Sequence, residues 1–147
     1  MLIAQISDLH VAEGRGLAFN VADGMLLLEK TVEHLTSLPQ QPDCVVVSGD
    51  ISVNGQSGGY ALVAEALSTL AMPVYVIPGN HDRRENLVAG LGRYCPADPV
   101  VAPYLCYTVE DNPLRLVFFA GTRPGSPSGH FTAPVPQRLE QPPAGHP

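Results

Sequence analysis

Three short apolar runs, each followed at once by a polar cluster, constrain the fold of this chain more than any other feature. The runs are Leu2–Ile6, Cys44–Val47 and Val74–Ile77, and the last two are almost continuously apolar. Such runs are typical of strands buried on both faces of a parallel sheet. Stretches with helical spacing of apolar residues separate them. The sequence therefore predicts an α/β fold with a mostly parallel sheet.

Three segments between and after these strands are predicted to be helices. Each has a set of apolar residues on one face: Met25, Leu28, Val32 and Leu35 in the first, Tyr60, Val63, Leu67 and Leu70 in the second, and Leu87, Val88, Leu91 and Tyr94 in the third. We expect Asn20, with Asp23 three residues later, to cap the first helix, and Pro39 to mark its end.

The C-terminal quarter divides into a predicted hairpin and a proline-rich stretch. Tyr104–Glu110 and Arg115–Ala120 are β-like, and Asp111-Asn112-Pro113 between them is a turn signal. Seven of the fifteen prolines lie in residues 123–147. That density is incompatible with a helix or a central strand. We therefore predict a folded region over 1–122 and an irregular tail over 123–147.

Composition excludes several classes of function. The chain has 147 residues, 45% of them hydrophobic, and a formal net charge of −6. An acidic chain is a poor binder of a nucleic-acid polymer, which needs a cationic face. No apolar run approaches the length of a membrane helix, and the N-terminus lacks the features of a signal peptide. The three cysteines do not form a disulfide pattern, and Cys44 is expected in the core, so we expect a cytoplasmic protein.

The polar clusters that follow the three strands carry the chemistry. They are Asp8-Leu9-His10, Gly49-Asp50 and Gly79-Asn80-His81-Asp82. Because the carboxyl ends of parallel strands meet at one edge of a sheet, we expect all three clusters there. In an extended Asp-Leu-His segment, Asp8 and His10 project to the same side. Carboxylate, imidazole and amide groups are ligands for Zn, Mn or Fe, so the sequence predicts a metal site.

Each of these residues also has an ordinary structural interpretation when taken alone. Aspartate favours turns and helix caps, and Asn80 after Gly79 suits a left-handed turn. Only the joint pattern favours metal binding. We interpret Arg83 and Arg84 as solvated loop residues, with contact to a substrate phosphate as the alternative. The chain has no phosphate-binding Gly-Lys-Ser/Thr loop, and Gly14 and Gly16 lack the third glycine of a dinucleotide loop, since Phe19 stands in its place.

Taken together, the three clusters resemble the calcineurin-like metallophosphoesterase superfamily. The segments Pro42–Asp50, Pro73–Arg83 and Arg123-Pro124-Gly125 are similar to its class III cyclic-nucleotide phosphodiesterase and glycerophosphodiesterase branch. The resemblance covers roughly residues 1–130, and the Gly-Asn-His-Asp motif after an apolar strand is its most specific part. It implies the N-terminal half of a four-layer αββα sandwich, with a mostly parallel sheet plus a hairpin.

The resemblance also implies a site and a reaction. Asp8, His10 and the bridging Asp50 would hold one divalent metal ion, and Asp50 with Asn80 would hold part of a second, the metals being Mn, Fe or Zn. His81 would act at the leaving group. The resemblance implies a small phosphoester as the substrate, specifically a phosphodiester such as a cyclic nucleotide or a glycerophosphodiester. A metal-activated hydroxide would attack phosphorus directly.

Two later histidine motifs of the family have no counterpart here. The other histidines are His34 on a predicted helix and His130 and His146 near the end, and we assign none of them to the metals. We therefore expect a chain cut short of its parent, by a frameshift for example, with one metal or none as the alternative occupancy. The alternative functions are an inactive remnant and a nucleotide- or partner-binding module. An uncovered sheet face would favour self-association.

Overall fold

The structure, a computed structural model, describes residues 1–96, 105–111, 113–123 and 125–129. Three strands form one parallel sheet in the order β1 (Ile3–Ile6), β2 (Cys44–Ser48) and β3 (Val74–Ile77). Helix α1 (Gly24–Ser37) connects the first pair of strands and α2 (Ser57–Leu67) connects the second. This order confirms the predicted parallel α/β arrangement.

The remaining elements follow β3. Helix α3 (Arg84–Leu91) continues into a short 3₁₀ turn, Gly92–Tyr94. Strands β4 (Leu105–Val109) and β5 (Leu116–Ala120) form the predicted antiparallel hairpin, with Leu105 paired to Ala120. The whole is a mixed α/β structure consistent with the N-terminal part of a metallophosphoesterase fold.

Alternation along the strands divides the sheet into two faces. Val45 and Val74 are register partners, as are Val47 and Val76, and all four side chains are buried. They form one core with the apolar faces of the helices, which include Leu28, Val32, Val63 and Leu67. The free cysteines Cys44, Cys95 and Cys106 are buried as well, so the core position of Cys44 is confirmed.

The hairpin packs beside β3. The ring of Phe118 lies 5.3 Å from that of Tyr75 and stacks on Tyr107 at 4.6 Å. The Tyr107 hydroxyl donates a hydrogen bond to the Val76 carbonyl at 2.8 Å. These contacts connect the hairpin to the edge strand of the parallel sheet.

The helix cap and one core assignment differ from expectation. Asp23 alone caps α1, its carboxylate accepting a hydrogen bond from the Leu26 N–H at 2.9 Å. Asn20 lies outside the helix with a positive φ of 59°. Val88 is exposed, because only Leu87 and Leu91 of α3 turn toward the core.

The proline-rich segment is not wholly irregular. Strand β6 (Thr122–Arg123) pairs with β7 (Ser126–Gly129), so five residues of the predicted tail, Arg123 and the four of β7, lie in a two-stranded ribbon. A two-stranded ribbon tolerates proline where a central strand does not. The rest of the tail, from residue 130 onward, lies outside the described residues, and the boundary at residue 122 stays a prediction. Among the residues described, none of the helices has the length and hydropathy needed to cross a bilayer.

Candidate metal centre

Three of the predicted metal ligands converge at the carboxyl ends of β1 and β2. One potential ligand atom from each of Asp8, His10 and Asp50 lies within 4.8 Å of the other two. The Nε2 atom of His10 is 4.0 Å from an Asp8 carboxylate oxygen. The parallel sheet therefore brings together residues that are 40 positions apart in the sequence.

The backbone reaches this arrangement differently from the extended geometry that the sequence suggested. Asp8, His10 and Asp50 all have positive φ values, of 56°, 43° and 50°. The expectation of an extended Asp-Leu-His segment was wrong, because both polar residues lie in the left-handed region. Side chains without the freedom of glycine are strained there. The left-handed residues turn the chain after each strand, and the three ligand side chains meet at the same edge of the sheet.

Hydrogen bonds hold the two loops in this strained form. The Asp8 N–H donates to the Gly49 carbonyl at 3.1 Å, and the His10 N–H donates to the Asp50 carbonyl at 2.9 Å. The start of α1 closes on the same loop, because a Cβ atom on Gly24 would lie 2.3 Å from the Leu9 carbonyl oxygen. Only glycine allows this approach of the helix to the ligand loop.

The third polar cluster meets the second at Asp50. A Cβ atom on Gly79 would lie 2.0 Å from an Asp50 carboxylate oxygen, and the His81 N–H donates to that same oxygen at 3.0 Å. Asn80 lies between these two residues, so the backbone carries it to the same edge of the sheet. The backbone carbonyl of Asn80 accepts a hydrogen bond from the Gly125 N–H at 2.7 Å.

A cavity of about 410 Å³ opens beside this cluster. Its lining includes Asn80, His81 and Arg83. Arg83 is exposed, as expected of a solvated loop residue, yet it borders the cavity and so brings a positive charge next to the site. Arg84 points elsewhere and donates a hydrogen bond to the Thr122 carbonyl.

His81 has a defined hydrogen-bonding state. Its Nδ1 atom lies 3.0 Å from the Val53 carbonyl oxygen, which can only accept, so Nδ1 carries a proton. The second nitrogen, Nε2, takes no part in this hydrogen bond. The imidazole ring also packs edge-on against that of His10, with centroids 5.1 Å apart. His81 is thus oriented next to the three converging ligands.

Asp82 fixes the relative positions of the second and third clusters. Its buried carboxylate accepts hydrogen bonds from the N–H groups of Ile51, Ser52 and Gly79 and from the Tyr60 hydroxyl, at 2.8 to 3.2 Å. Burial is the larger cause that raises the pKa of Tyr60, and the negative charge of Asp82 raises it further. Tyr60 was expected only as a core residue of α2, and nothing in its spacing indicated this contact.

The residue that sequence reasoning missed at the site is Phe19. Its ring lies edge-on to the imidazoles of His10 and His81, with centroids 5.2 and 5.8 Å apart. No local pattern identifies this role, because the contact with His81 spans 62 positions. The only signal in the sequence is Asn20, a residue that favours turns, directly after an aromatic residue.

The donor set fits a divalent cation. Two carboxylates held this close repel each other, and a cation between them would remove the repulsion. Within the described part of the chain, the buried Nδ1 atom of His10 has no hydrogen-bond partner. The nitrogen within reach of the Asp8 carboxylate is Nε2, 4.0 Å away, so Nε2 is the candidate ligand atom. Oxygen and imidazole ligands suit Mn, Fe or Zn.

Comparisons with known proteins agree with this geometry. A family model for calcineurin-like phosphoesterases matches residues 1–141. A probable glycerophosphodiester phosphodiesterase GpdQ of Arcobacter nitrofigilis is 36% identical over 117 residues, which are 80% of this chain and 42% of the relative. The glycerophosphodiester phosphodiesterase GpdQ of Enterobacter lignolyticus is 32% identical over 90% of this chain and 48% of its own length.

A cyclic-nucleotide enzyme is also similar. The 3′,5′-cyclic adenosine monophosphate phosphodiesterase CpdA of Pseudomonas aeruginosa is 32% identical over 87 residues, 59% of this chain and 32% of the relative. In all three comparisons, the aligned part of this chain spans less than half the length of the curated relative.

Proposed function

The chain belongs to the calcineurin-like phosphoesterase family, and from that premise we propose that it takes part in the metal-dependent hydrolysis of a small phosphodiester. The substrate class is a glycerophosphodiester or a cyclic nucleotide, as the names of the relatives suggest. The observation that carries the proposal is the convergence of Asp8, His10 and Asp50 within 4.8 Å beside the imidazole of His81. A cytoplasmic location stays a prediction.

The residues of this chain would contribute to the reaction by positioning cations and by attracting the anionic substrate. Asp8, His10 and Asp50 would hold a divalent cation, and Asp50 with Asn80 would contribute to a second. A bound cation supplies Lewis-acid activation of water and neutralises phosphate charge. The His81 N–H fixes one oxygen of Asp50, which leaves the other oxygen for a cation. The positive charge of Arg83 at the cavity favours an anionic substrate.

His81 is suited to act on the leaving group. Its Nδ1–H is occupied by the Val53 carbonyl, so Nε2 is the atom that delivers a proton to the departing alkoxide. The contact with His10 places this imidazole at the edge of the proposed cation site. Proton delivery matters most for a poor leaving group such as glycerol.

A second candidate function is binding of phosphate esters without turnover. The side chain of Asp8 is 68% exposed, and within the described residues the ligand cluster has only three carboxylate and imidazole donors. An open carboxylate holds a cation less firmly than an enclosed one. This observation favours a site that binds one cation or none and that does not hydrolyse its ligand.

Metal content and hydrolysis, measured on the same preparation, distinguish these functions. We expect the chain to bind Mn²⁺ and to hydrolyse a glycerophosphodiester and a p-nitrophenyl phosphodiester. His81→Ala should lower the rate with the glycerol ester about 100-fold, within the usual range for general acid catalysis. The loss should be smaller with p-nitrophenolate, which leaves without a proton. His34→Ala, at an exposed histidine of α1, is the matched control.

Asp50→Asn should abolish Mn²⁺ binding, whereas Asp43→Asn, at an exposed carboxylate away from the site, should not. Bound Mn²⁺ without turnover of either ester would support the binding function instead. Equal losses with both esters in His81→Ala would contradict proton delivery by His81.

A further inference from the structure

Phe19 occupies a position that packing alone does not explain. It belongs to a tight turn in which the Val21 N–H donates to the Ala18 carbonyl at 2.9 Å. The two central residues, Phe19 and Asn20, have φ values of 52° and 59°. Positive φ at both central positions is the pattern of a type I′ turn, which favours asparagine, aspartate and glycine. A bulky aromatic residue there is a conformational outlier.

The strained turn places an aromatic ring in solvent at the edge of the proposed active site. Phe19 is 56% exposed, so burial of its own surface does not compensate the strain. Its ring nevertheless contacts both His10, a proposed metal ligand, and His81, the proposed proton donor. Strain of this kind persists where it serves a site. The exposed side of the ring is free to meet a ligand bound between the imidazoles and solvent.

The position of the ring relative to His81 indicates which part of a ligand it meets. A phosphoester whose ester oxygen meets the His81 imidazole carries the group on that oxygen beside the imidazole. Phe19 is the aromatic neighbour of that imidazole, 5.8 Å away. An aromatic surface gains most from a second planar ring, in stacked or edge-on contact.

We propose that Phe19 forms a subsite for a planar aromatic group carried on the ester oxygen that meets His81. This inference rests on the proposed function and narrows its substrate class, because it favours aryl or nucleoside esters over glycerol esters. The planar ring can be bonded directly to the ester oxygen or can lie beyond a ribose.

Binding of phosphate monoesters, each with one group on its single ester oxygen, to the Mn²⁺-loaded full chain tests the proposal without requiring turnover. The probes are methyl phosphate, phenyl phosphate and adenosine 5′-monophosphate, titrated by calorimetry. An aromatic contact corresponds to a preference of about fivefold over methyl phosphate. Phe19→Gly should abolish this preference and leave methyl phosphate binding intact, because glycine adopts the left-handed turn without strain. Phe19→Tyr should keep it.

Val21→Ala is the matched control, since Val21 lies in the same turn, is 83% exposed and is not among the ring contacts of the site. It should keep the full preference. A larger preference for phenyl phosphate would show that the ligand ring is bonded directly to the ester oxygen. A larger preference for adenosine 5′-monophosphate would show that the ligand ring lies beyond a ribose. Equal affinities of the wild-type protein for all three probes, absence of binding, or a uniform loss in Phe19→Gly would overturn the proposal. If the wild-type protein prefers the aromatic probes but hydrolyses no phosphodiester, the proposed turnover is refuted and the Phe19 subsite stands.

Discussion

At the scale of single residues, the site is built from backbone strain stabilised by hydrogen bonds. Asp8, His10 and Asp50 lie in the left-handed region, where each non-glycine residue costs on the order of 1–2 kcal/mol. The bonds from Asp8 to Gly49 and from His10 to Asp50 oppose this cost. The ligands are therefore positioned before any cation binds, which reduces the reorganisation that binding requires.

Gly79 is the residue at which this preorganisation can be tested. A Cβ atom there would lie 2.0 Å from an Asp50 carboxylate oxygen and 2.3 Å from the Asp50 nitrogen, so Gly79→Ala must displace Asp50. We expect Mn²⁺ affinity to fall at least tenfold, on the order of the effects seen when the support of a metal ligand is lost. Isothermal titration with Mn²⁺ measures the change.

Gly16→Ala is the control for this substitution. A Cβ atom on Gly16 has its nearest neighbour at 3.7 Å, an ordinary van der Waals contact, and should leave Mn²⁺ affinity unchanged. An unaltered affinity in Gly79→Ala would mean that Asp50 does not hold the cation.

At the scale of elements, local patterns were sufficient for the parallel strands, the three helices and the β4–β5 hairpin. The predicted bounds of β3, Val74–Ile77, are those of the structure, because a β-branched run between proline residues has one favourable conformation. The rule that ligand clusters meet at the carboxyl ends of parallel strands then brought Asp8 and Asp50 together without further information.

The parts that the sequence did not predict depend on contacts between distant residues. An Asp-x-His segment has the same spacing in an extended strand and in a left-handed turn, and only the bonds to Gly49 and Asp50 select the turn. The contact between Phe19 and His81 depends on the tertiary structure, since the two residues lie in loops that are far apart in the sequence. The residues of β7, which include Pro127, are extended because β6 pairs with this strand.

The attachment of the hairpin to the sheet predicts how the fold responds to alkali. Burial raises the pKa of Tyr107, which is 3% exposed. Its hydroxyl donates a hydrogen bond to the Val76 carbonyl. In the unfolded chain this group ionises near its usual value of about 10. The contribution of Tyr107 to the free energy of unfolding should therefore be constant below about pH 10, and above it should fall by about 1.4 kcal/mol per pH unit.

Urea unfolding of the wild-type protein and Tyr107→Phe across this range isolates the effect. The variant should be less stable by about 1 kcal/mol at neutral pH, since it leaves the Val76 carbonyl without its donor. Its curve should fall less steeply in alkali, so that the two converge. Tyr60, whose pKa burial also raises, and Cys95, whose pKa burial raises to about 11, contribute equally to both proteins. Parallel curves above pH 10 would contradict the prediction.

At the scale of the whole molecule, the parallel sheet is covered unevenly. Helices pack on the face that carries Val45 and Val76, whereas the hairpin contacts the ring of Tyr75 on the other face. The sheet edge formed by β1 has no neighbouring strand among those described. Leu2 and Ile3 at this edge are 43% and 40% exposed. An unpaired edge with apolar side chains is a template for pairing with another chain.

We therefore predict that the chain self-associates through the β1 edge. Ile3→Lys should shift the distribution toward monomer, because a charge on an edge strand opposes pairing. Sedimentation velocity over a concentration series measures the change. Leu114→Lys is the control, since Leu114 is 59% exposed on the turn of the hairpin, away from β1, and should leave association unchanged. A wild-type chain that stays monomeric at every concentration would show that the exposed edge does not pair, and a loss of association in Leu114→Lys would place the interface on the hairpin instead.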